Sequence, residues 1–296
     1  MGTILRLVVI LVLTAGRIQE SSAGDCVGIR VQVLGSGGPE IDDGRSSSSY
    51  LLWQGDSARL LLDAGSGSSL GFGSAGARFA DLDAILLSHL HTDHSVDIPA
   101  FIKGSFFTDR NTNLVIAGPA GNDRMPRTST FMKRLIGPDG AFRYLSSYLE
   151  DGTEAYTLST LDMPAQSVGH LSGEGWHASS LPVRHGPIPA LAWRADLGGC
   201  VVVYAGDMSG APETFTAFAR NADLLILHAA VPENAGATAR RLHMIPSELV
   251  SLANQLTPER ILLSHFMKRS EQEAPESFQR MVAPVVLARD GLSLDL

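Results

Sequence analysis

Three histidines and an aspartate fall close together in one short stretch of the chain. His89, His91, Asp93 and His94 lie within six residues, directly after the apolar segment 84–87. A loop at the end of a buried strand can aim such side chains at one point. Imidazole and carboxylate groups together suit zinc, iron or manganese, and a histidine-rich set favours zinc. The stretch therefore predicts a metal site rather than a solvated polar turn.

Hydrophobic patterning predicts the elements that must position this stretch. The first half is mostly hairpin-like strands, and the second half alternates strands with helices. Strands are predicted at 29–33, 50–53, 60–62, 84–87, 114–117, 178–183, 190–193, 201–204, 224–227 and 261–263. Helices are predicted at about 129–149, with interruptions at Gly137-Pro138 and Gly140, at 212–220, and after Pro246. Two mixed sheets with helices outside, in one domain, are the most economical architecture.

The first residues have the pattern of a secretory signal peptide. Residues 1–6 carry one positive charge, residues 7–13 are an unbroken apolar run, and Ser21 and Ala23 are small residues before Gly24. The apolar run is too short to span a bilayer. We expect residues 1–23 to be removed and residues 24–296 to be exported, to the periplasm or the medium, with no stable membrane insertion. Cys26 and Cys200 would there form a disulfide or remain two buried thiols.

Several further motifs follow one another in an order that resembles the metallo-β-lactamase superfamily, and its ribonuclease Z-like branch in particular. They are Leu34-Gly-Ser-Gly-Gly-Pro39, Asp63-Ala-Gly65, the cluster His89-Leu-His-Thr-Asp-His94, Gly118-Pro-Ala-Gly121, His185 ahead of Ala190-Leu-Ala-Trp-Arg194, Gly206-Asp207 and Ser264-His265. The resemblance covers nearly the whole chain after residue 24. It implies an α/β fold, the αββα sandwich of that superfamily, with two mixed sheets flanked by helices.

The resemblance also implies a site with two divalent metal ions, zinc first, with iron or manganese as alternatives. His89, His91 and His185 would bind one ion; Asp93, His94 and His265 would bind the other; and Asp207 would bridge both. Two such cations lower the pKa of a bridging water, whose hydroxide can attack an ester. Asp93 would also orient this water or accept its proton. Asp63 would either hold a metal-bound histidine from behind or only close its turn.

His243 is a candidate catalytic residue outside the metal ligands. It precedes the helix that starts at Pro246, where the ribonuclease Z-like branch has a histidine near the substrate phosphate. We expect it to act as leaving-group acid or oxyanion donor. The branch pairs this histidine with a carboxylate that follows the histidine at the end of the 224–227 strand, whereas this chain has His228-Ala229. Leaving groups that need little protonation, such as phenols, therefore fit better.

These features predict an exported phosphodiesterase or arylsulfatase that acts on small-molecule esters and not on nucleic acid. The net charge is −8, no basic run of five or more occurs, and only 21 residues separate His185 from Asp207, too few for the tRNA-gripping arm of ribonuclease Z. The alternatives are a lactonase or β-lactamase-like hydrolase of cyclic esters or amides, and a non-catalytic metal-binding protein. A homodimer is compatible with the sequence.

Overall fold

Two seven-stranded β-sheets face each other in the computed structural model, which describes residues 26–149 and 154–296. The strands are β1 (Ile29–Gly35), β2 (Ser49–Gln54), β3 (Ser57–Leu62), β4 (Ala84–Leu86), β5 (Leu114–Pro119), β6 (Leu158–Met163), β7 (Gly169–Gly173), β8 (Trp176–His185), β9 (Ile188–Leu197), β10 (Cys200–Tyr204), β11 (Leu224–His228), β12 (Ile261–Ser264), β13 (Val285–Leu287) and β14 (Ser293–Asp295). The predicted signal peptide, residues 1–23, lies outside the described residues.

Helices cover the outer face of each sheet. They are α1 (Ser68–Ser74), α2 (Thr92–Ser95), α3 (Ile98–Ser105), α4 (Thr128–Ile136), α5 (Glu213–Phe218), α6 (Ala237–Arg240), α7 (Pro246–Leu256) and α8 (Lys268–Ser277), with short 3-10 helices at Phe79–Asp81 and Arg143–Tyr148. The layers are therefore helix, sheet, sheet and helix. The predicted αββα sandwich with two mixed sheets is confirmed.

Each sheet is part antiparallel and part parallel, which brings several strand ends to one edge. The first sheet has the order β14-β1-β2-β3-β4-β5-β6, and the strands from β3 to β6 are parallel. The second has the order β13-β12-β11-β10-β9-β8-β7, and the strands from β10 to β13 are parallel. Loops at the carboxyl ends of such strands are where α/β sheets place their ligand sites.

Alternation along the strands explains why both faces of each sheet are buried. Leu60 and Leu62 of β3 pack between the sheets, whereas Leu61 packs under the helices of the first sheet. Val202 of β10 packs between the sheets, and Val203 packs under the helices of the second sheet. Strands buried on both faces are nearly continuous apolar runs in the sequence, and these are the strands that the patterning predicted.

The strands that patterning missed are the outermost strand at each edge of the two sheets, β6, β7, β13 and β14. An edge strand has solvent on one flank and is often short, so its apolar signal is weak. The predicted helix at 129–149 is also shorter than expected. The helix α4 ends at Ile136, immediately before Gly137-Pro138, and only a 3-10 helix follows.

A disulfide links the first described residue to the second sheet. Cys26 and Cys200 form a disulfide with Cα atoms 5.2 Å apart, which fixes the segment before β1 to the first residue of β10. Of the two alternatives left open by the sequence, the structure therefore has the disulfide. Within the described ranges, no helix is both long and apolar enough to cross a bilayer.

Candidate metal centre

The predicted ligands meet at the carboxyl-end edge of the two sheets. The cluster from His89 to His94 follows β4 and continues into α2, His185 is the last residue of β8, Asp207 follows β10, and His265 follows β12. Gly206 turns the chain just before Asp207 with φ +60°, and a Cβ there would lie 2.9 Å from Ser88 Cβ. Only glycine tolerates both the conformation and the contact. The turn therefore delivers Asp207 to the centre.

One histidine triad forms the first half of the centre. His91 Nδ1 lies 3.0 Å from His89 Nε2 and 3.4 Å from His185 Nε2. His185 donates its Nδ1–H to the carbonyl oxygen of Leu242 at 2.8 Å, which fixes the ring and directs Nε2 toward the other two histidines. Burial is the main cause that lowers the pKa of His89 and of His91, so both imidazoles present neutral nitrogens.

A mixed triad forms the second half. Asp93 Oδ2 lies 3.4 Å from His94 Nε2 and 3.3 Å from His265 Nε2, and the two imidazole nitrogens are 3.3 Å apart. His265 has a left-handed backbone, φ +57°, which is uncommon for a residue with a side chain. Such strain persists where the surroundings fix the conformation, and here it turns the ring toward Asp93.

Asp207 lies between the triads, within reach of both. Its Oδ2 is 3.8 Å from His89 Nε2, 3.7 Å from His185 Nε2 and 3.6 Å from His94 Nε2. Burial alone would raise the pKa of Asp207, but the charges of the surrounding imidazoles, with that of His265 the largest, hold it well below its ordinary value. Asp207 is therefore a buried carboxylate that lies between the two triads.

The spacing of these donor atoms fits two metal ions. A tetrahedral zinc with bonds of about 2.0–2.1 Å places its ligand atoms about 3.3–3.4 Å apart. In the histidine triad, His91 Nδ1 lies 3.0 Å and 3.4 Å from the other two nitrogens, and the three separations in the mixed triad are 3.3–3.4 Å. Imidazole nitrogens that face each other at these distances in a buried site need a cation or a proton between them. The donor set therefore fits two divalent metals; their identity remains a prediction.

Asp63 holds one ligand from behind. It accepts the Nδ1–H of His94 at 2.7 Å, which leaves His94 Nε2 for a metal. Its two oxygens also accept the backbone N–H of Ser88 at 2.6 Å, the Ser88 hydroxyl at 2.7 Å and the Tyr204 hydroxyl at 2.5 Å. Of the two predicted roles for Asp63, the contacts favour orientation of a metal-binding histidine.

His228 is a functional residue that the sequence analysis did not assign. It donates its Nδ1–H to Asp207 Oδ1 at 2.6 Å, and its Nε2 accepts the Tyr50 hydroxyl at 3.2 Å. Burial lowers the pKa of His228 to about 3, so it is neutral at neutral pH. The sequence contains one sign of this role, a histidine at the end of a buried strand. Only the residue after it, Ala229, was interpreted from the sequence.

His243 lines the cavity above the two triads. Its Nδ1 is 3.9 Å from Asp207 Oδ2 and has no hydrogen-bond partner among the described residues. Burial lowers its pKa to about 4. Ala229, at the position where the ribonuclease Z-like branch has a carboxylate, supplies no such partner, and no described residue hydrogen-bonds to this nitrogen in its place.

A cavity of about 490 Å³ gives access to the centre. Besides five of the seven predicted ligands and His243, it is lined by Pro39, Leu90, Thr92, Met125, Leu242 and Met267. Of the predicted site residues, all seven metal ligands and His243 come together here. Their roles as ligands and catalyst remain predictions.

Comparison with known proteins identifies the family. The profile of the β-lactamase superfamily domain matches residues 58–266, and the chain belongs to this family. Ribonuclease Z of Mycobacterium sp. (strain KMS) is 29% identical over 261 residues, covering 85% of this chain and 80% of that protein. Ribonuclease Z of Natronomonas pharaonis is 27% identical over 308 residues, covering 90% and 98%.

Solved structures share the fold. The metallo-β-lactamase fold protein YhfI from Bacillus subtilis has a TM-score of 0.69 and 24% identity, covering 90% of this chain and 98% of that one. The short form of human tRNase Z has a TM-score of 0.69 and 20% identity, with the same coverage. A diphosphatase from the PhnP family has a TM-score of 0.66 and 19% identity, again covering 90% and 98%. The chain is a metal-dependent hydrolase of the metallo-β-lactamase fold.

One expectation from the sequence is wrong. The substrate was expected to be a small molecule and not a nucleic acid, yet the relatives that match most of the chain are ribonuclease Z enzymes. The net charge of −8 is a sum over the whole chain and does not report the charge beside the site. The short interval between His185 and Asp207 limits the size of an insertion there, and it does not limit the bond that is cleaved.

Proposed function

We propose that this chain hydrolyses phosphodiester bonds, those of RNA included, with two zinc ions held by the seven ligands. The observation that carries the proposal is the position of Asp207, whose Oδ2 lies within 3.8 Å of ligand nitrogens from both triads. The resemblance of the whole chain to ribonuclease Z, over 85% of its length, supports phosphorus as the atom attacked. When bound, two such ions supply a water nucleophile of lowered pKa and polarise the ester oxygen under attack.

The protein's own groups have separate tasks in this proposal. Asp93 lines the cavity, and the charges of His94 and His265 hold its pKa below the ordinary value despite its burial, so it is ionised and can orient the attacking water by accepting its hydrogen bond. Asp63 and His228 fix the orientation of His94 and Asp207. His243 reaches the cavity and donates a hydrogen bond or a proton to the leaving oxygen.

The leaving group decides how much His243 contributes. With a pKa of about 4, its imidazole is neutral at pH 7 and offers the leaving oxygen a hydrogen bond rather than a proton. Diesters whose leaving group departs as a stable anion are therefore expected to react fastest. The same reasoning favours aryl sulfates as a second substrate class, since a phenolate needs little protonation.

Export is part of the proposal. The order of charge, apolar run and small residues before Gly24 supports a cleaved leader. The disulfide between Cys26 and Cys200 supports an oxidising compartment, the periplasm or the medium. Detection of a processed N-terminus near residue 24 in the exported fraction tests this, and an intact residue 1 in the cytosolic fraction contradicts it.

A substrate panel tests the reaction. The purified protein, loaded with zinc, is assayed on bis(p-nitrophenyl) phosphate, p-nitrophenyl sulfate, a single-stranded RNA oligonucleotide, a lactone and a cephalosporin, each with and without chelator. We expect chelator-sensitive cleavage of the diester and the RNA, and slower or no cleavage of the lactone and cephalosporin. Turnover of the lactone or the lactam well above that of every phosphodiester would contradict the proposal.

A further inference from the structure

The glycine-rich loop that follows β1 lies against the segment that carries the ligand His265. Gly38 is buried in this loop, and its backbone N–H donates to the carbonyl oxygen of Phe266 at 3.3 Å. In return, the backbone N–H of Phe266 donates to the carbonyl oxygen of Ser36 at 3.0 Å. The stretch Ser36-Gly37-Gly38, here called the glycine loop, is therefore paired with the residues on both sides of His265. No predicted metal ligand or catalytic residue belongs to the glycine loop itself.

His265 differs from His94 and His185 in what lies behind its ring. Asp63 accepts the Nδ1–H of His94 at 2.7 Å, and the Leu242 carbonyl oxygen accepts that of His185 at 2.8 Å. Nδ1 of His265 is buried and has no hydrogen-bond partner among the residues that the structure describes. A metal-binding imidazole almost always has an outer partner that fixes its orientation. The orientation of the His265 ring must therefore be fixed by packing.

Gly38 supplies this packing through a close approach of its backbone. A Cβ atom at residue 38 would lie 2.6 Å from His265 Cε1 and 2.8 Å from His265 Nδ1, closer than nonbonded atoms can come. The ring has little room to move away, because the imidazoles of His228 and His94 pack against it with centroids 4.5 Å and 5.3 Å from its own. The φ angle of Gly38 is not positive. Lack of space, and not backbone conformation, therefore requires glycine here.

Hydrogen bonds to Asp290, in the turn between β13 and β14, hold the glycine loop in place. Asp290 Oδ1 accepts the backbone N–H of Ser36 at 2.9 Å and its hydroxyl at 2.7 Å, and Oδ2 accepts the backbone N–H of Ser46 at 2.7 Å. Gly37 donates its N–H to the carbonyl oxygen of Ser46 at 2.9 Å. Arg45 Nη1 donates to the Ser36 hydroxyl at 2.6 Å. These bonds fix the loop and with it the contact that Gly38 makes.

We propose that Gly38 is a positioning residue that holds His265 in the orientation needed by the metal ion of the mixed triad. The inference rests on the two-metal site of the proposed function and adds to it the device that orients this ligand. A side chain at residue 38 displaces the ring, so that its Nε2 no longer lies 3.3 Å from both Asp93 Oδ2 and His94 Nε2. The three atoms nearest to the added Cβ all belong to His265. The ion of the histidine triad should therefore be unaffected.

The expected effect is a loss of affinity for one of the two ions. Loss of a group that orients a metal ligand typically costs about 10–100-fold in metal affinity. We expect Gly38→Ala to weaken one zinc ion by at least about tenfold and to leave the other as in the wild type. Gly38→Val, with a larger side chain, should weaken the same ion further. Asp290→Asn replaces one acceptor oxygen by a donor without adding bulk, so it should weaken this ion by less than about tenfold.

The test is competition for zinc between the metal-free protein and a chromophoric chelator, which resolves the two binding steps. The visible spectrum of the cobalt-loaded protein reports the ligand geometry independently of activity. Gly73→Ala is the matched control for Gly38→Ala, because Gly73 is exposed in α1 and an added Cβ meets nothing within 4 Å. Asp56→Asn, an exposed residue between β2 and β3, is the control for Asp290→Asn. Both controls should bind two zinc ions like the wild type.

Urea unfolding of the metal-free variants identifies those that are folded. If Gly38→Ala does not fold, Asp290→Asn decides the question, since it introduces no clash. Wild-type affinity for both zinc ions in the folded variant overturns the positioning role while the two-metal site stands. Equal weakening of both ions also overturns it, because a general loss of structure has that effect.

The wild type separates this inference from the function on which it rests. If the wild type binds two zinc ions but cleaves no phosphodiester, the proposed function fails, and the zinc affinities of the variants still decide the role of Gly38. If the wild type binds no zinc, the two-metal site and the positioning role fail together.

Discussion

Substitution of His228 tests whether the orientation of Asp207 determines metal affinity. Among the predicted ligands, His228 forms a hydrogen bond with Asp207 alone. Its Nδ1–H lies 2.6 Å from Asp207 Oδ1, and a carboxylate only accepts, so the proton is on His228. The Tyr50 hydroxyl donates to the other ring nitrogen and fixes this tautomer. His228→Ala removes the donor, leaving a buried carboxylate oxygen without its partner.

The expected magnitude follows from measured effects of such outer partners. Loss of a group that orients a metal ligand typically costs 10–100-fold in metal affinity, which corresponds to about 1.4–2.8 kcal/mol. Tyr50→Phe removes only the hydroxyl that holds the tautomer, so we expect a smaller loss, below about tenfold, since the direct bond to Asp207 survives. The loss should appear for both metal ions, because Asp207 lies between the two triads.

The assay is competition for zinc between the metal-free protein and a chromophoric chelator at a temperature where every variant is folded. The visible spectrum of the cobalt-loaded protein reports the ligand geometry independently of affinity. His228→Gln, which retains an N–H donor, should recover part of the affinity. His170→Ala, on the exposed strand β7, is the control and should bind metal like the wild type. Wild-type affinity and an unchanged cobalt spectrum in His228→Ala would refute this reasoning.

Three further predictions address other residues. A hydrogen-bond donor to a developing oxyanion is typically worth 10²–10³-fold, so His243→Ala should slow diesters with alkyl leaving groups by about 10²-fold and p-nitrophenyl diesters by less than about tenfold; equal losses would remove its role at the leaving group. In the metal-free protein, the pKa of His243 is about 4 against an ordinary 6.5, so the unfolded state binds more protons between these values and stability falls as pH drops through this window. His243→Gln should flatten this slope by about 1.4 kcal/mol per pH unit in urea unfolding, and parallel slopes would contradict the shift. The double variant Cys26→Ser, Cys200→Ser opens a loop with a sequence separation of 174, so it should lose about 2–5 kcal/mol of unfolding free energy, and a loss below about 1 kcal/mol would show that the disulfide contributes little.

All the predicted ligands come together in the structure, at the ends of strongly apolar strands, and their role as metal ligands stays a prediction. His89 to His94 follow β4, and Asp207 and His265 follow two of the central parallel strands of the second sheet. Strands buried on both faces have the clearest pattern, which placed the cluster from His89 to His94 after a strand, whereas His185, Asp207 and His265 were assigned through the resemblance to the ribonuclease Z-like branch. The edge strands β6, β7, β13 and β14 lack that pattern and were missed.

His228 could not be assigned, because its role depends on a contact between two strands. It lies on β11, and its partner Asp207 follows β10, 21 residues earlier in the chain. The pairing of β10 with β11 brings the two together, and no spacing in the sequence encodes that geometry.

The substrate class was predicted wrongly from the net charge, a sum that contains no information on where the charges lie. A net charge of −8 disfavours long-range attraction of a polyanion, yet it does not report which charges lie beside the cavity. Charge near a cavity affects binding more than the same charge elsewhere, because ionic screening removes most interactions beyond about 8–10 Å. The net charge therefore did not justify the exclusion of nucleic acid as a substrate class.

The most direct test of the account is a titration of the metal-free protein with zinc while hydrolysis of bis(p-nitrophenyl) phosphate is followed. If Asp207 joins two metal-binding triads, activity should rise until two zinc ions per chain have been added and then stay constant, and Asp207→Ala should abolish this rise. Saturation at one zinc ion per chain, or diester hydrolysis that is equal with and without metal, would contradict the two-metal centre.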